Sequence, residues 1–476
     1  MRTYLFYDLD ASGENVAFDQ VLRFAAIRTD DRFDVLDEHD VSMRLRREVV
    51  PAPVAVLRHG WSVEALRAEG EAEVDAIRTV HGLMNEPGTI GLGYRTIDAD
   101  DEMLRFAFFR NLLDPYTHQY ANDCGRMDLE PMVVLERLRG RTALDDLLRH
   151  EASGDGEGPA RGVRAGAQAA LALARQLASD RARWDELAGY FDPAVDEARL
   201  AALPTFRIGG AVHPVALMVD PAFGAERAYQ RPVVGLGRHR YYANQSRWLA
   251  LDTPQLPEVA TQPIRSVAEV VRKKLGVPGF LLSWKDEAAN RLDEARRSLA
   301  RQNLAWLREH PALFQQMAGY YREATYRQIP NLDADAALYQ IDRFTEEEKA
   351  RFERFHAAET VDEKAALIPE FERTVVQTLA LRVLLRNEPA SAWPPVVRRY
   401  ADAYRRRIYP RTRSDVLVDH RGDERRTPAD ALRAIERLRA EGLDGAPLDA
   451  ERHRLLDELE RHVQTASRSP RRALSA

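Results

Sequence analysis

Two aspartates, two positions apart at the end of an aromatic and β-favouring run, are the residues best placed to do chemistry. They are Asp8 and Asp10 in Thr3-Tyr4-Leu5-Phe6-Tyr7-Asp8-Leu9-Asp10-Ala11-Ser12-Gly13. In a strand, residues i and i+2 point to one face, so the two carboxylates project side by side. Held that close they repel, and a hard divalent cation is a common reason for a fold to tolerate the pair. The competing reading is the polar end of a strand entering a turn. The fragment alone leaves both open.

The elements that must position this pair come from a chain of 476 residues, long enough for two or three domains. A hydrophobic fraction of 45% with 30% charged residues fits a soluble globular protein, and no apolar run nears the roughly 18 residues that span a bilayer. The chain opens on a strand without a charged-then-apolar leader, so a cytoplasmic location is expected. Cys124 is the sole cysteine, which excludes a disulfide framework and a cysteine-rich zinc site. With a net charge of -6, any phosphate binding must come from local basic patches.

Residues 1–185 read as mixed α/β. Strands are expected at Thr3–Tyr7, Val21–Thr29, Arg32–Leu36 and Gly88–Tyr94, and helices at Ser62–Ala68, Glu71–Met84, Asp98–Leu113, up to Asp145–His150, and at Val163–Ala178. The Gly-rich Glu151–Gly162 reads as a loop. Residues 200–260 carry short strands, Val212–Val219, Val233–Leu236, Arg240–Tyr242 and Trp248–Leu251, and form a small β-rich module. From 264 to 465 the pattern turns helical, with Val267, Val270, Val271 and Leu275 as one apolar stripe and Ala288, Leu292, Ala295 and Leu299 as another. Residues 466–476 form a basic tail.

With these segments in place, the chain resembles the exonuclease I family, bacterial enzymes that degrade single-stranded DNA from the 3′ end. Asp8-Leu9-Asp10-Ala11-Ser12-Gly13 resembles the family's D-Y-E-T-F-G, and Phe24–Asp30 matches F-A-A-I-R-T-D. The stretch from Pro51 to His59-Gly60-Trp61-Ser62 is similar to the segment ending T-G-I-T. Gly93-Tyr94 leading to Asp100-Asp101-Glu102 resembles G-Y-N-N-V-R-F-D-D-E. Phe109-Arg110-Asn111 with Asp114-Pro115-Tyr116 resembles Y-R-N-F-Y-D-P-Y, and Arg126-Met127-Asp128-Leu129 resembles R-W-D-L. Asp335–Tyr339 is close to D-A-Q-L-Y. The resemblance implies an α/β, ribonuclease H-like nuclease domain with a mixed sheet, an SH3-like β module and a helical C-terminal domain closing a channel for single-stranded DNA. It also implies acidic side chains holding two Mg (or Mn) ions roughly 4 Å apart, and a histidine general base.

Carried over by position, Asp8 is the first acid, Asp10 replaces the family's glutamate, and Asp100 is the third acid, with Asp101 the less favoured choice. The last motif, H-D-A-M-A-D, fails. Arg161 stands where the histidine belongs and Gly166 where the last aspartate belongs. Glycine has no side chain to bind a metal, and arginine stays protonated. His150, Asp155 or Glu157 could replace them from the Gly-rich loop. Three acids could still hold one ion, with Arg161 neutralising further charge.

Gly60 and Trp61, beside His59, occupy the segment that in the family meets the terminal nucleotide; Trp61 is expected either to stack on a base or to lead a helix half-buried. Tyr241, Tyr242, Arg247 and Trp248 interleave aromatic and basic side chains as single-strand binders do, or alternate through a barrel core. Arg405, Arg406 and Arg407, near Arg411 and Arg413, either track phosphates or form a solvated helix face. The other histidines read as structural or surface. No phosphate-binding G-x-x-x-x-G-K-[ST], no G-x-G-x-x-G after a strand and no G-x-S-x-G elbow occurs. Two expectations follow. The residue losses favour a protein that engages 3′ ends of single-stranded DNA with an impaired site, or a scaffold in a DNA repair or defence assembly. The runner-up is an active Mg-dependent 3′→5′ exonuclease with a rearranged fourth ligand or base.

Overall fold

The computed structural model describes residues 2–141, 162–326, 328–410 and 412–468, with side chains through 465. The N-terminal sheet has the order β3-β2-β1-β4-β5, built from β1 (Thr3–Ala11), β2 (Val21–Thr29), β3 (Val35–Ser42), β4 (Thr89–Gly93) and β5 (Gly125–Asp128). β1 pairs antiparallel with β2 and parallel with β4, and β4 pairs parallel with β5. β1 runs past Tyr7 to Ala11, so both aspartates lie within the strand.

Alternation along β1 sorts its side chains between two cores. Leu5, Tyr7 and Leu9 pack with Val80 of α3 (Glu73–Asn85) and Phe106 of α4 (Asp101–Arg110). Tyr4 and Phe6 pack with α5 (Leu129–Leu138) and α6 (Val163–Leu177). Asp8 and Asp10 continue the Tyr4–Phe6 face, the side that α6 covers. Two shorter helices, α1 (Pro53–His59) and α2 (Val63–Ala68), precede α3; Ser62 caps α2, its side chain accepting from the Ala65 N–H as its position predicts.

The third strand is not Arg32–Leu36. Phe33 is buried in a left-handed turn (φ 65°), and the Arg32 and Asp34 N–H groups donate to the Asp30 carboxylate, so pairing starts only at Val35. The expected helix Asp98–Leu113 is a π-helical turn, Thr96–Asp100, running into α4. Asp145–His150 and most of Glu151–Gly162 lie outside the described residues, as does the tail beyond 468.

A second, antiparallel sheet follows: β6 (Thr205–Ile208), β7 (Ala211–Val219), β8 (Gln230–Arg238), β9 (Gln245–Ala250), β10 (Val270–Lys274) and β11 (Phe280–Leu282). The expected strand Arg240–Tyr242 is instead the turn joining β8 to β9. The stripe Val267, Val270, Val271, Leu275 is not one helix: Val267 ends the short helical turn Ile264–Val267, and the β-branched pair enters β10, which pairs with β9. Short apolar runs do not separate the two periods. The second stripe is broken by Asp293, whose side chain caps the helix Glu294–Glu309.

The C-terminal helices share cores with the first domain. Leu456 and Ile435 pack with Val56, Leu57 and Trp61. A buried ion network ties the same parts together. Arg386 reaches Glu48 at 2.8 Å and also pairs with Asp335, Arg382 binds Asp333, and Arg46 spans Glu48 and Glu73.

Candidate active site

Asp8 and Asp10 stand where β1 loses its regular pairing: Asp10 faces Arg23, but Ala11 faces Val21, a bulge at the sheet's end. Bulges of this kind re-aim side chains beside functional sites. Asp100 comes from the π-helical turn. A Cβ on Gly93 would lie 2.7 Å from the Tyr7 carbonyl oxygen, so only glycine lets β4 end this close to β1. The turn is braced from β5 by Asp128, whose carboxylate accepts the N–H groups of Arg95 (2.9 Å) and Ile97 (3.0 Å) and also caps α5.

The electrostatics identify which acid of the Asp100–Asp101 pair faces the site. Burial, then repulsion from Asp8, Asp128 and Asp10, holds the Asp100 carboxyl well above its ordinary pKa. Burial pushes Asp128 up to about 6. Asp101 is the reverse case: although buried, it is held below the usual carboxylate range by Arg126, by His118 at 2.7 Å and by Arg105 at 3.2 Å. Asp101 is therefore a structural ion-pair centre, and Asp100 belongs with Asp8 and Asp10.

On the opposite wall, α6 brings Gly166 directly onto Asp8. A Cβ built there would overlap the carboxylate, lying 2.7 Å from its Cγ. Gly166, expected from the resemblance to stand where the family's motif has its last aspartate, thus touches Asp8 and carries no side chain there. Arg161, His150, Asp155 and Glu157 lie outside the described residues.

His59, expected only as a neighbour of Gly60 and Trp61 in that segment, reaches the acids directly. Its Nδ1 lies 2.7 Å from Oδ1 of Asp10. Trp61 does the opposite. It is 1% exposed, packed in the core shared with the C-terminal helices, and cannot offer an indole face to a base. His59 lies on that indole, ring centroids 4.5 Å apart. Asp128 was also missed as a site residue; its legible signal was an acid placed to cap the helix at Leu129.

In the second sheet, Trp248 is 2% exposed and belongs to the core, so it too is no stacking platform. Tyr241 is exposed and lies near Arg240, and Tyr242 lies 5.8 Å from Tyr326, which bonds Arg272. Arg247 is partly buried beside Tyr326. Of the arginine run, Arg405 pairs with Asp402 and Arg407 with Asp333; Arg406 is exposed. The run is therefore mostly an internally paired helix face rather than a free phosphate track.

Three carboxylates that repel one another, without Lys or Arg paired to Asp10 or Asp100 among the described residues, have the donor chemistry for a divalent cation. Asp8, Asp10 and Asp100 would hold it, and it would supply charge neutralisation and polarise a phosphoryl oxygen. A closed cage is not formed in advance: among the described residues no three His, Cys, Asp or Glu side chains are gathered tightly enough to ligate one ion.

A mixed sheet with paired acids ending its first strand, a third acid opening a helix and a further helix laid over them defines a ribonuclease H-like nuclease domain. No family model matches the chain. It is 30% identical to exodeoxyribonuclease I of Escherichia coli (strain K12) over 374 residues, 71% of this chain and 76% of that protein. Its fold matches the metal-free form of the E. coli exonuclease I–single-stranded DNA complex with a TM-score of 0.80 and 22% identity, over 98% of this chain and 99% of that one. The exonuclease I of Methylocaldum szegediense matches with a TM-score of 0.78 and 20% identity, over 98% and 100%. The chain belongs to the exodeoxyribonuclease I family.

Proposed function

We propose that this protein engages the 3′ ends of single-stranded DNA, that Asp8, Asp10 and Asp100 form a Mg- or Mn-binding centre at that end, and that turnover there is impaired. The DNA reading is supported by the relatives named exodeoxyribonuclease I and by the neighbours solved with single-stranded DNA. It is supported in this chain by the exposed Tyr241, by Tyr242 and by the arginines around Tyr326 in the second sheet. The observation that carries the impairment is Gly166 against Asp8: the place from which a fourth acid would bind the ion holds no side chain. In a two-ion displacement the ions stabilise both the attacking and the leaving oxygen, so losing one ligand removes much of that stabilisation.

The test is a 3′-labelled oligonucleotide incubated with the protein and Mg²⁺ or Mn²⁺, beside Asp8→Ala. Binding by both proteins without release of label is the expected result. Rapid degradation that Asp8→Ala abolishes would overturn the impairment. No binding by either would overturn the DNA reading.

A further inference from the structure

His59 stands where α1 stops. Gly60 takes the left-handed conformation there (φ 69°, ψ 35°), and a Cβ on it would meet nothing within 4 Å, so backbone conformation rather than crowding calls for glycine. The reversal drops Trp61 into the core and lays the imidazole flat on the indole, the planes 11° apart. The ring is thereby fixed in place while the side chain stays 34% exposed. Its Nδ1 edge meets Asp10, whose own side chain is only 7% exposed.

We propose that His59 is a positioning residue for Asp10, the two forming a coupled pair in the acidic centre. Asp10 is one methylene shorter than the glutamate of D-Y-E-T-F-G, and His59 stands where T-G-I-T has threonine. These two departures, 49 positions apart in the chain, meet at 2.7 Å. The imidazole fills the space that the shorter acid leaves. Anchored on Trp61, it also holds the carboxylate in one orientation, leaving Oδ2 for a cation. Groups that orient a ligating carboxylate from behind typically contribute on the order of 10–100-fold to metal affinity or activity.

The inference rests on Asp10 belonging to the cation centre, and its test separates the two. Mn²⁺ affinity of the full chain is measured by titration calorimetry for the wild type, His59→Thr, Asp10→Glu and the double variant, with folding checked by thermal unfolding in EDTA. His59→Thr and Asp10→Glu are each expected to weaken Mn²⁺ binding by on the order of 10-fold or more. The double variant, a threonine–glutamate pair, is expected to recover most of the loss. Losses that simply multiply in the double variant would show two independent sites and overturn the pairing. Unchanged affinity in His59→Thr would also overturn it, and that arm decides alone if Asp10→Glu fails to fold. A wild type that binds no Mn²⁺ overturns both this inference and the cation centre. Binding of a labelled oligonucleotide in EDTA judges the DNA reading separately.

Discussion

Gly166 on α6 touches the carboxylate of Asp8 on β1 so closely that a Cβ would overlap it. Gly→Ala in a helix interior ordinarily gains about 1 kcal/mol from propensity alone. Here the methyl must displace Asp8, so Gly166→Ala is expected to weaken Mn²⁺ binding and to forfeit that gain in unfolding experiments. A variant more stable than wild type with unchanged Mn²⁺ affinity would contradict the contact.

The raised Asp100 and Asp128 carboxyls make the metal-free protein pH-sensitive. An acid whose folded pKa is raised stabilises the fold only below its unfolded pKa, and that contribution is lost as pH rises through the folded value. For Asp128 the window runs from about 4, the ordinary value, to about 6. In EDTA, the melting temperature is expected to fall across that window. Asp100→Asn, which removes the repelling charge, is expected to raise it at neutral pH. A melting temperature that Asp100→Asn lowers at neutral pH would contradict the repulsion.

Trp61 and His59 separate by the kind of damage their loss causes. Trp61→Ala is expected to cost about 3–5 kcal/mol of stability, the range for a fully buried aromatic. Trp61→Phe is expected to keep oligonucleotide affinity. A large affinity loss in Trp61→Phe at unchanged stability would restore the indole as a base platform. By contrast, Tyr241→Ala is expected to weaken single-strand binding by about 1–3 kcal/mol with little change in stability.

Arg386 lies between Glu48 of the first domain and Asp335 of the C-terminal helices. Burial opposes ionisation of Glu48, but Arg386 and Arg46 prevail and hold its carboxyl below the usual range. Arg386→Met removes the cation shared by two buried acids, leaving Glu48 only Arg46 and Asp335 only Arg382, at an expected cost of about 3–5 kcal/mol. Because these carboxyls are depressed, their contribution is present at neutral pH and lost as pH falls below about 4. Acid unfolding of wild type and Arg386→Met should therefore converge at low pH; a constant difference would contradict the network.

Much of this was legible in the chain. Asp8 and Asp10 share a strand face as their spacing implied, because periodicity on a buried strand fixes which face a residue takes; Asp100, placed beside them by resemblance alone, lies near enough to be repelled by both. Local patterns could not reveal the His59–Asp10 pair, since His59 ends a helix while its partner lies on β1, and its orientation comes from stacking on a tryptophan. Trp61 was open between a base platform and a half-buried helix lead, and Trp248 between platform and core, for the same reason: an aromatic beside basic residues reads alike in these settings until tertiary packing covers it. β10 was hidden because five residues, two valines followed by three basic side chains, carry too little periodicity to set strand apart from helix.

We propose that this fold keeps the acidic centre and lacks the partners that complete it. Release of 3′-terminal nucleotides from a single-stranded oligonucleotide in Mg²⁺, compared between wild type and the double variant Arg161→His with Gly166→Asp, tests it most directly. Slow or absent release is expected from wild type and faster release from the double variant, in which Asp8 must shift off the new Cβ and the added carboxylate then shares a cation with it. Rapid release by wild type, or no gain in the double variant, would contradict it.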